Sequence, residues 1–277
     1  VSSSHSSASP KRPPSPRVRR RRAAAAAAAA GLVVLVVVVL VLQQWAGRGE
    51  ERPHPTELGY PSAPPQAHPP AASDAPEDVT AVPLAELADP EWTAEMSGAA
   101  GIPERALIAY AGAAVHLSQT RPECGLGWNT LAGIGQVESV HGQYGASSVA
   151  DDGAVDPPVI GVALDGSEGL MAIPDTDDGE LDGDTEWDRA VGPMQFIPTT
   201  WDQYGQDANQ DGQADVHQYD DAALSAGVYL CESGEDLTSD FGWNDAVTAY
   251  NQSVEYANSV AQRAAEYAQH QEAENNE

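Results

Sequence analysis

The stretch Leu131-Ala-Gly-Ile-Gly-Gln-Val-Glu-Ser-Val-His-Gly142 decides how the chain is read. Leu131, Ile134, Val137 and Val140 recur at a spacing of three, which predicts one buried helical stripe. Gly142 stands just past the last periodic residue, where helices commonly stop. Glu138 therefore falls in the last turn of a largely apolar helix. Burial disfavours an ionised carboxylate, and so does the partial negative charge at a helix C-terminus. Both push Glu138 toward a neutral carboxylic acid near pH 7. That species protonates the leaving oxygen in glycoside cleavage.

Composition partitions the chain. Residues 1–22 are rich in Ser, Pro and Arg, and residues 43–83 in Pro, Ala and Glu. Neither has an apolar period, so the first is expected to be a disordered cytoplasmic segment and the second a flexible linker. Ala23–Leu42 is a run of twenty apolar residues preceded by Arg17 and Arg19–Arg22. It is long enough to span a bilayer, and the flanking charge places everything after it outside. A cleaved secretory signal is the alternative; both readings export the domain. Residues 84–270 are expected to fold as one domain, with 271–277 as a polar tail.

Beyond Arg52 the sequence holds 40 Asp and Glu against four Arg and no Lys, a formal charge of −36. Such a surface repels nucleic acid and anionic headgroups. Cys124 and Cys231 are the only cysteines, and an even count in an exported domain reads as one disulfide.

Helical pattern recurs along the chain. Ala106, Leu107, Tyr110, Ala114 and Leu117 form the apolar face of a helix with Pro103 at its start. Thr199 or Thr200 is expected to cap a helix from Trp201, and Asp220-Asp221 a helix from Ala222 to Leu230. Ser253 is expected to cap a last amphipathic helix with Tyr256, Ala257, Val260, Ala261, Ala264 and Tyr267 on its apolar face. Residues 145–188 form a long Gly-, Asp- and Pro-rich excursion, expected to be an ordered insertion beside the site. Strand signals are sparse, so the domain is read as mainly α.

Asp207-x-Asn209-x-Asp211-Gly212-Gln213-x-Asp215 matches the first nine positions of an EF-hand-type Ca²⁺ loop. Its twelfth position is Gln218 rather than a bidentate Glu, and Asp220 or Asp221 stands near enough to compensate. A structural Ca²⁺ or an empty acidic turn are the two readings. Asp175–Glu186 is also acid-rich, but its spacing fits no standard loop, and it reads as a solvated turn. No cofactor is expected to take part in the chemistry.

Three ordered pieces carry a resemblance: Glu138-Ser139 with Gly142, then Ala190-Val-Gly-Pro-Met-Gln-Phe-Ile-Pro-Thr-Thr-Trp201, then Ala249-Tyr-Asn-Gln-Ser253. Together they resemble the lytic murein transglycosylases, closest to the membrane-bound lytic transglycosylase B group in its actinobacterial form, over roughly Leu84 to Tyr267. The resemblance implies a lysozyme-like α domain with a substrate groove. It implies that Glu138 first protonates the oxygen between N-acetylmuramic acid and N-acetylglucosamine, then acts as base on the muramoyl 6-hydroxyl, closing a 1,6-anhydro ring without consuming water. It implies that Tyr250 hydrogen-bonds Glu138 and that Asn251 lies near the substrate.

From the residues themselves, Met194, Gln195 and Phe196 are expected to line a sugar groove, with Gln195 offering both donor and acceptor. Phe196 serves equally as a core ring. Thr199 is placed to meet an N-acetyl group or to cap the next helix. Ser139 and His141 are expected at the groove through their nearness to Glu138. The resemblance implies peptidoglycan glycan strands as the partner. A muramidase-type hydrolase using Asp151, Asp152 or Asp188 to position water, and an inactive peptidoglycan-binding module, are the rival readings.

Overall fold

The computed structural model describes residues 52–167 and 170–274. The basic segment 1–22 and the apolar run 23–42 lie outside them. Among the described residues no helix is long and apolar enough to cross a membrane. From Pro53 onward the chain forms one unit.

Among the described residues seven α-helices build it: α1 Pro90–Ala100, α2 Glu104–Thr120, α3 Trp128–Ser139, α4 Pro198–Tyr204, α5 Tyr219–Gly234, α6 Asp240–Tyr250 and α7 Val254–Glu274. The mainly α expectation holds. Four short strands, β1 Ser148–Val149, β2 Val155–Asp156, β3 Ile160–Ala163 and β4 Arg189–Val191, pair antiparallel as β1–β2 and β3–β4. β1, β2 and β3 fall within the 145–188 excursion.

The core is helix on helix. α3 makes its most extensive contact with α7, and α5 packs against both α2 and α6. Gly133 allows the first of these: a Cβ there would stand 2.9 Å from the Val260 carbonyl oxygen. The stripes read from sequence on α2 and α7 are buried as expected. On α3 the stripe is shorter than expected. Leu131 and Ile134 are buried, but Val137 and Val140 are 37% and 45% exposed. The helix ends at Ser139 and Val140 turns left-handed, which takes Val140 off the stripe.

Helix starts also differ from expectation. α4 is capped by Ile197, with Pro198 at its first position and Thr199 already inside it. α5 is capped by Gln218, whose side-chain oxygen accepts the N–H groups of Asp220 and Asp221, and it runs on to Gly234. At α7 the expected cap is present: the Tyr256 N–H donates to Ser253 Oγ.

The linker expectation fails from Pro53 to Pro83, which is built into the domain. Ala67 donates its N–H to Asn129 Oδ1, Gly127 donates to Gln66 Oε1, and Asn129 Nδ2 donates to the Pro65 carbonyl. Low apolar content hid this, because the attachment is made by backbone hydrogen bonds to buried side chains. The polar-tail expectation fails at Gln271. It is buried near the end of α7, accepts from Trp128 Nε1 at 2.6 Å and donates to the His68 carbonyl.

The disulfide is formed between Cys124 and Cys231, closing a sequence separation of 107 residues. It ties the turn before α3 to α5.

Candidate active site

The three sequence pieces meet in space, joined by side-chain hydrogen bonds. β4 leads into a four-residue turn, Gly192-Pro-Met-Gln195, closed by reciprocal backbone bonds between Val191 and Phe196. Gly192 lies at φ 76°, and any Cβ there would overlap the Val216 carbonyl. Only glycine satisfies both demands. Two carbonyls of this turn are held by the flanking pieces. Ser139 Oγ donates to the Pro193 carbonyl at 2.6 Å, and the Tyr250 hydroxyl donates to the Met194 carbonyl at 2.7 Å. Ser139 Oγ also accepts the Gly142 N–H at 2.7 Å, so one hydroxyl fastens the end of α3 to the turn.

Glu138 sits at that junction. The Tyr256 hydroxyl donates to its Oε1 at 2.5 Å. Burial pushes its carboxyl up to about 7, and the Tyr256 bond opposes part of that rise. The shift runs in the expected direction, with burial as the leading cause, and leaves about half of the carboxyl neutral at pH 7.

Glu138 opens into a cleft of about 610 Å³. Gln195, Phe196 and Thr200 line it from the second piece, and Tyr250, Asn251, Gln252 and Ser253 from the third. Gln195 has φ 52° and donates its amide to the Gly192 carbonyl at 2.9 Å, which fixes its side chain against the turn. Phe196 is buried and meets the rings of Trp201 and Tyr250, so it is core and cleft floor at once. Leu164, Leu170, Met171 and Ile173 complete the wall from the insertion. Among the described lining residues Glu138 is the only carboxylate.

Several expected site residues lie elsewhere. His141 is buried, bonded to the hydroxyls of Tyr110 and Tyr267 at 3.0 Å each. Burial drives its pKa down to about 3, so it is a neutral core residue. Met194 has no exposed surface; its side chain is core, and its backbone carries the contact. Ser139 is fully buried and ties backbone rather than facing sugar. Thr199 is exposed outside the cleft lining, where the neighbouring Thr200 stands. Tyr250 does not bond Glu138; Tyr256 does. Both hydroxyls are within reach of the site, and sequence order alone did not distinguish them. Tyr256 was legible only as part of an apolar stripe.

The 207–215 loop folds on itself. Asp207 accepts the N–H groups of Asp211 and Gly212, and Asn209 Oδ1 accepts that of Asp211. Gln218 is turned away to cap α5, which corrects its expected place in the ligand set. Asp221 stands behind the loop and accepts the N–H groups of Ala208, Asn209 and Asp215. Burial pushes its carboxyl up to about 6, with Asp207 adding to the rise. Asp175, Asp177 and Asp188 also bring carboxylate oxygens within 4.8 Å of one another. Both Asp188 oxygens accept from Thr176, and those of Asp175 and Asp177 accept backbone N–H groups of the same turn.

Residues 175–244 match the family model described as "Transglycosylase SLT domain". The matched stretch holds the Gly192–Phe196 turn and the 207–215 loop, while Glu138 and Tyr256 lie outside it. Two solved structures are similar. SltB3 from Pseudomonas aeruginosa, in complex with NAG-anhNAM-pentapeptide, is 18% identical with a TM-score of 0.37, over 62% of this chain and 65% of that one. The Escherichia coli lytic transglycosylase Slt35, in complex with bulgecin A, is 15% identical with a TM-score of 0.38, over 60% of this chain and 73% of that one. This chain thus spans less than two thirds of SltB3. No curated protein matches.

Proposed function

We propose that this chain is a peptidoglycan lytic transglycosylase, cleaving the β-1,4 bond between N-acetylmuramic acid and N-acetylglucosamine to leave a 1,6-anhydromuramoyl end. The observation that carries this is a single half-buried carboxyl, raised to about 7 by desolvation, at the wall of a cleft with no second carboxylate among its described lining residues. One group must then serve twice. Glu138, protonated at rest, gives its proton to the glycosidic oxygen as the bond to C1 breaks. The resulting carboxylate takes the proton of the muramoyl 6-hydroxyl as that oxygen bonds C1, which returns Glu138 to its starting state. The Tyr256 hydroxyl holds the carboxyl in one rotamer and stabilises the charge between the two steps.

The hydrolase alternative needs a carboxylate beside the water that attacks. Asp188 is buried and spent on Thr176, and neither Asp151 nor Asp152 lines the cleft. This favours the anhydro product. The decisive experiment is mass spectrometry of peptidoglycan digests made with the wild type and with Glu138→Gln. Anhydromuramoyl ends from the wild type alone are expected. Reducing ends would replace this reading with a muramidase, and equal activity in Glu138→Gln would remove Glu138 from the chemistry.

The same reading includes a structural Ca²⁺ held by Asp207, Asn209, Asp211, Asp215 and the Gln213 carbonyl, with Asp221 supporting the loop from behind. It also places the domain outside the cytoplasm, anchored through residues 23–42. The formed Cys124–Cys231 disulfide supports that location, since such bonds persist in oxidising compartments.

A further inference from the structure

Every arginine beyond Arg52 is already engaged. Arg105 pairs with Asp220, Arg121 with Glu232, Arg189 with Asp184 and Arg263 with Glu266. There is no lysine in this part of the chain to set against its 40 Asp and Glu. The cleft repeats the pattern: its described lining contains no Lys, Arg or His. Its polar groups apart from Glu138 are neutral amides and hydroxyls, and the insertion contributes the apolar side chains of Leu164, Leu170, Met171 and Ile173. Met171 is 65% exposed at this wall, so an incoming chain meets it directly.

Muramoyl residues carry peptide stems with carboxyl groups close to the glycan. A stem with free carboxylates would enter a field of its own sign and find no cation to pair with. Amidation removes those charges and leaves neutral groups that the amides of Gln195 and Asn251 can match.

Resting on the transglycosylase reading above, we propose that this cleft selects glycan strands by charge, cutting those with amidated stems in preference to those with free stem carboxylates. Strands stripped of their stems fall with the disfavoured class, because removing the peptide bares the lactyl carboxylate. The selection is electrostatic, so it weakens as salt shortens the Debye length from roughly 20–30 Å at low salt to about 3 Å at 1 M.

The test uses one peptidoglycan preparation, half of it amidated with carbodiimide and ammonia, so that the glycan is identical in both arms. Initial rates of anhydromuramoyl release would be measured at 20 mM and 1 M NaCl. A preference for the amidated strands of about tenfold at low salt, falling to about twofold or less at 1 M, is expected from screening of exposed charges. Met171→Lys places a cation at the rim and should narrow the low-salt preference. Equal rates in both arms, a preference for free carboxylates, or a preference that salt does not change would overturn the proposal. No anhydromuramoyl product from either arm would instead reject the transglycosylase reading, and this proposal with it.

Discussion

The Glu138 carboxyl and the Tyr256 hydroxyl together set the pH behaviour of the site. Tyr256→Phe removes a bond that lowers the Glu138 pKa, so burial then acts unopposed. The activity of this variant is expected to fall about tenfold or more, the scale of a lost positioning contact in acid–base catalysis. Its alkaline limb should move upward from about pH 7, because the acid keeps its proton longer. A pH–rate profile separates this from a folding defect, which would lower the rate without moving the limb. Glu138 also bears on stability. Its folded pKa of about 7 lies above its ordinary value of 4.5, so the folded state holds the proton more tightly than the unfolded one. Below about pH 4.5 both states are protonated and nothing is lost. Between pH 4.5 and 7 stability declines, and above about 7 the loss is complete at roughly 2–3 kcal/mol, reduced because part of the residue faces cleft water. Glu138→Gln should therefore melt higher than wild type at pH 8 and match it at pH 4, as calorimetry would show, while activity drops by about 10³ or more. The acid was legible in the sequence because an apolar helix surrounds it. Its tyrosine partner was not, since a buried Tyr in an amphipathic stripe gives no sign of which acceptor its hydroxyl will find.

Elements were read best where their periodicity was long. α2 and α7 bury the faces their spacing predicts. Termini were read less well, because local hydrogen bonds decide them. Gln218 rather than Asp220 or Asp221 caps α5, and a Pro rather than a Thr opens α4. The packing of α3 on α7 depends on a glycine that carries no periodic signal. Gly133→Ala improves helix propensity by about 1 kcal/mol on its own. Here the added methyl would stand 2.9 Å from the Val260 carbonyl oxygen, so the helices must separate. A net loss of about 1–2 kcal/mol is expected from this overpacking, measurable by urea denaturation. A gain in stability would show that the two helices are less tightly apposed than described.

The whole molecule is fastened by a covalent link and by its own N-terminal stretch. Removing the disulfide with Cys124→Ser and Cys231→Ser together frees a loop with a separation of 107 residues. The chain-entropy model gives a loss of about 4–5 kcal/mol, and a lower melting temperature under non-reducing conditions is the outcome to look for. Chelator should lower the melting temperature of the wild type if Ca²⁺ holds the 207–215 loop; an unchanged transition would leave that loop without a metal. The Pro53–Pro83 stretch was missed at this scale, because its contacts are polar and distributed rather than apolar and periodic.

That stretch has a mechanical consequence. The chain enters the unit at Pro53, where His54 lies 3.4 Å from the Asp240 carboxylate at the start of α6. A few residues on it reaches the α6–α7 connection: the Tyr60 hydroxyl donates to the Gln252 carbonyl, and Asn258 donates to the Gly59 carbonyl. Asn251, Gln252 and Ser253 of that connection line the cleft. Tension applied through the N-terminal end would therefore load the start of α6 and then the rim of the cleft. A wall under strain and a wall at rest would present differently shaped openings to the same strand.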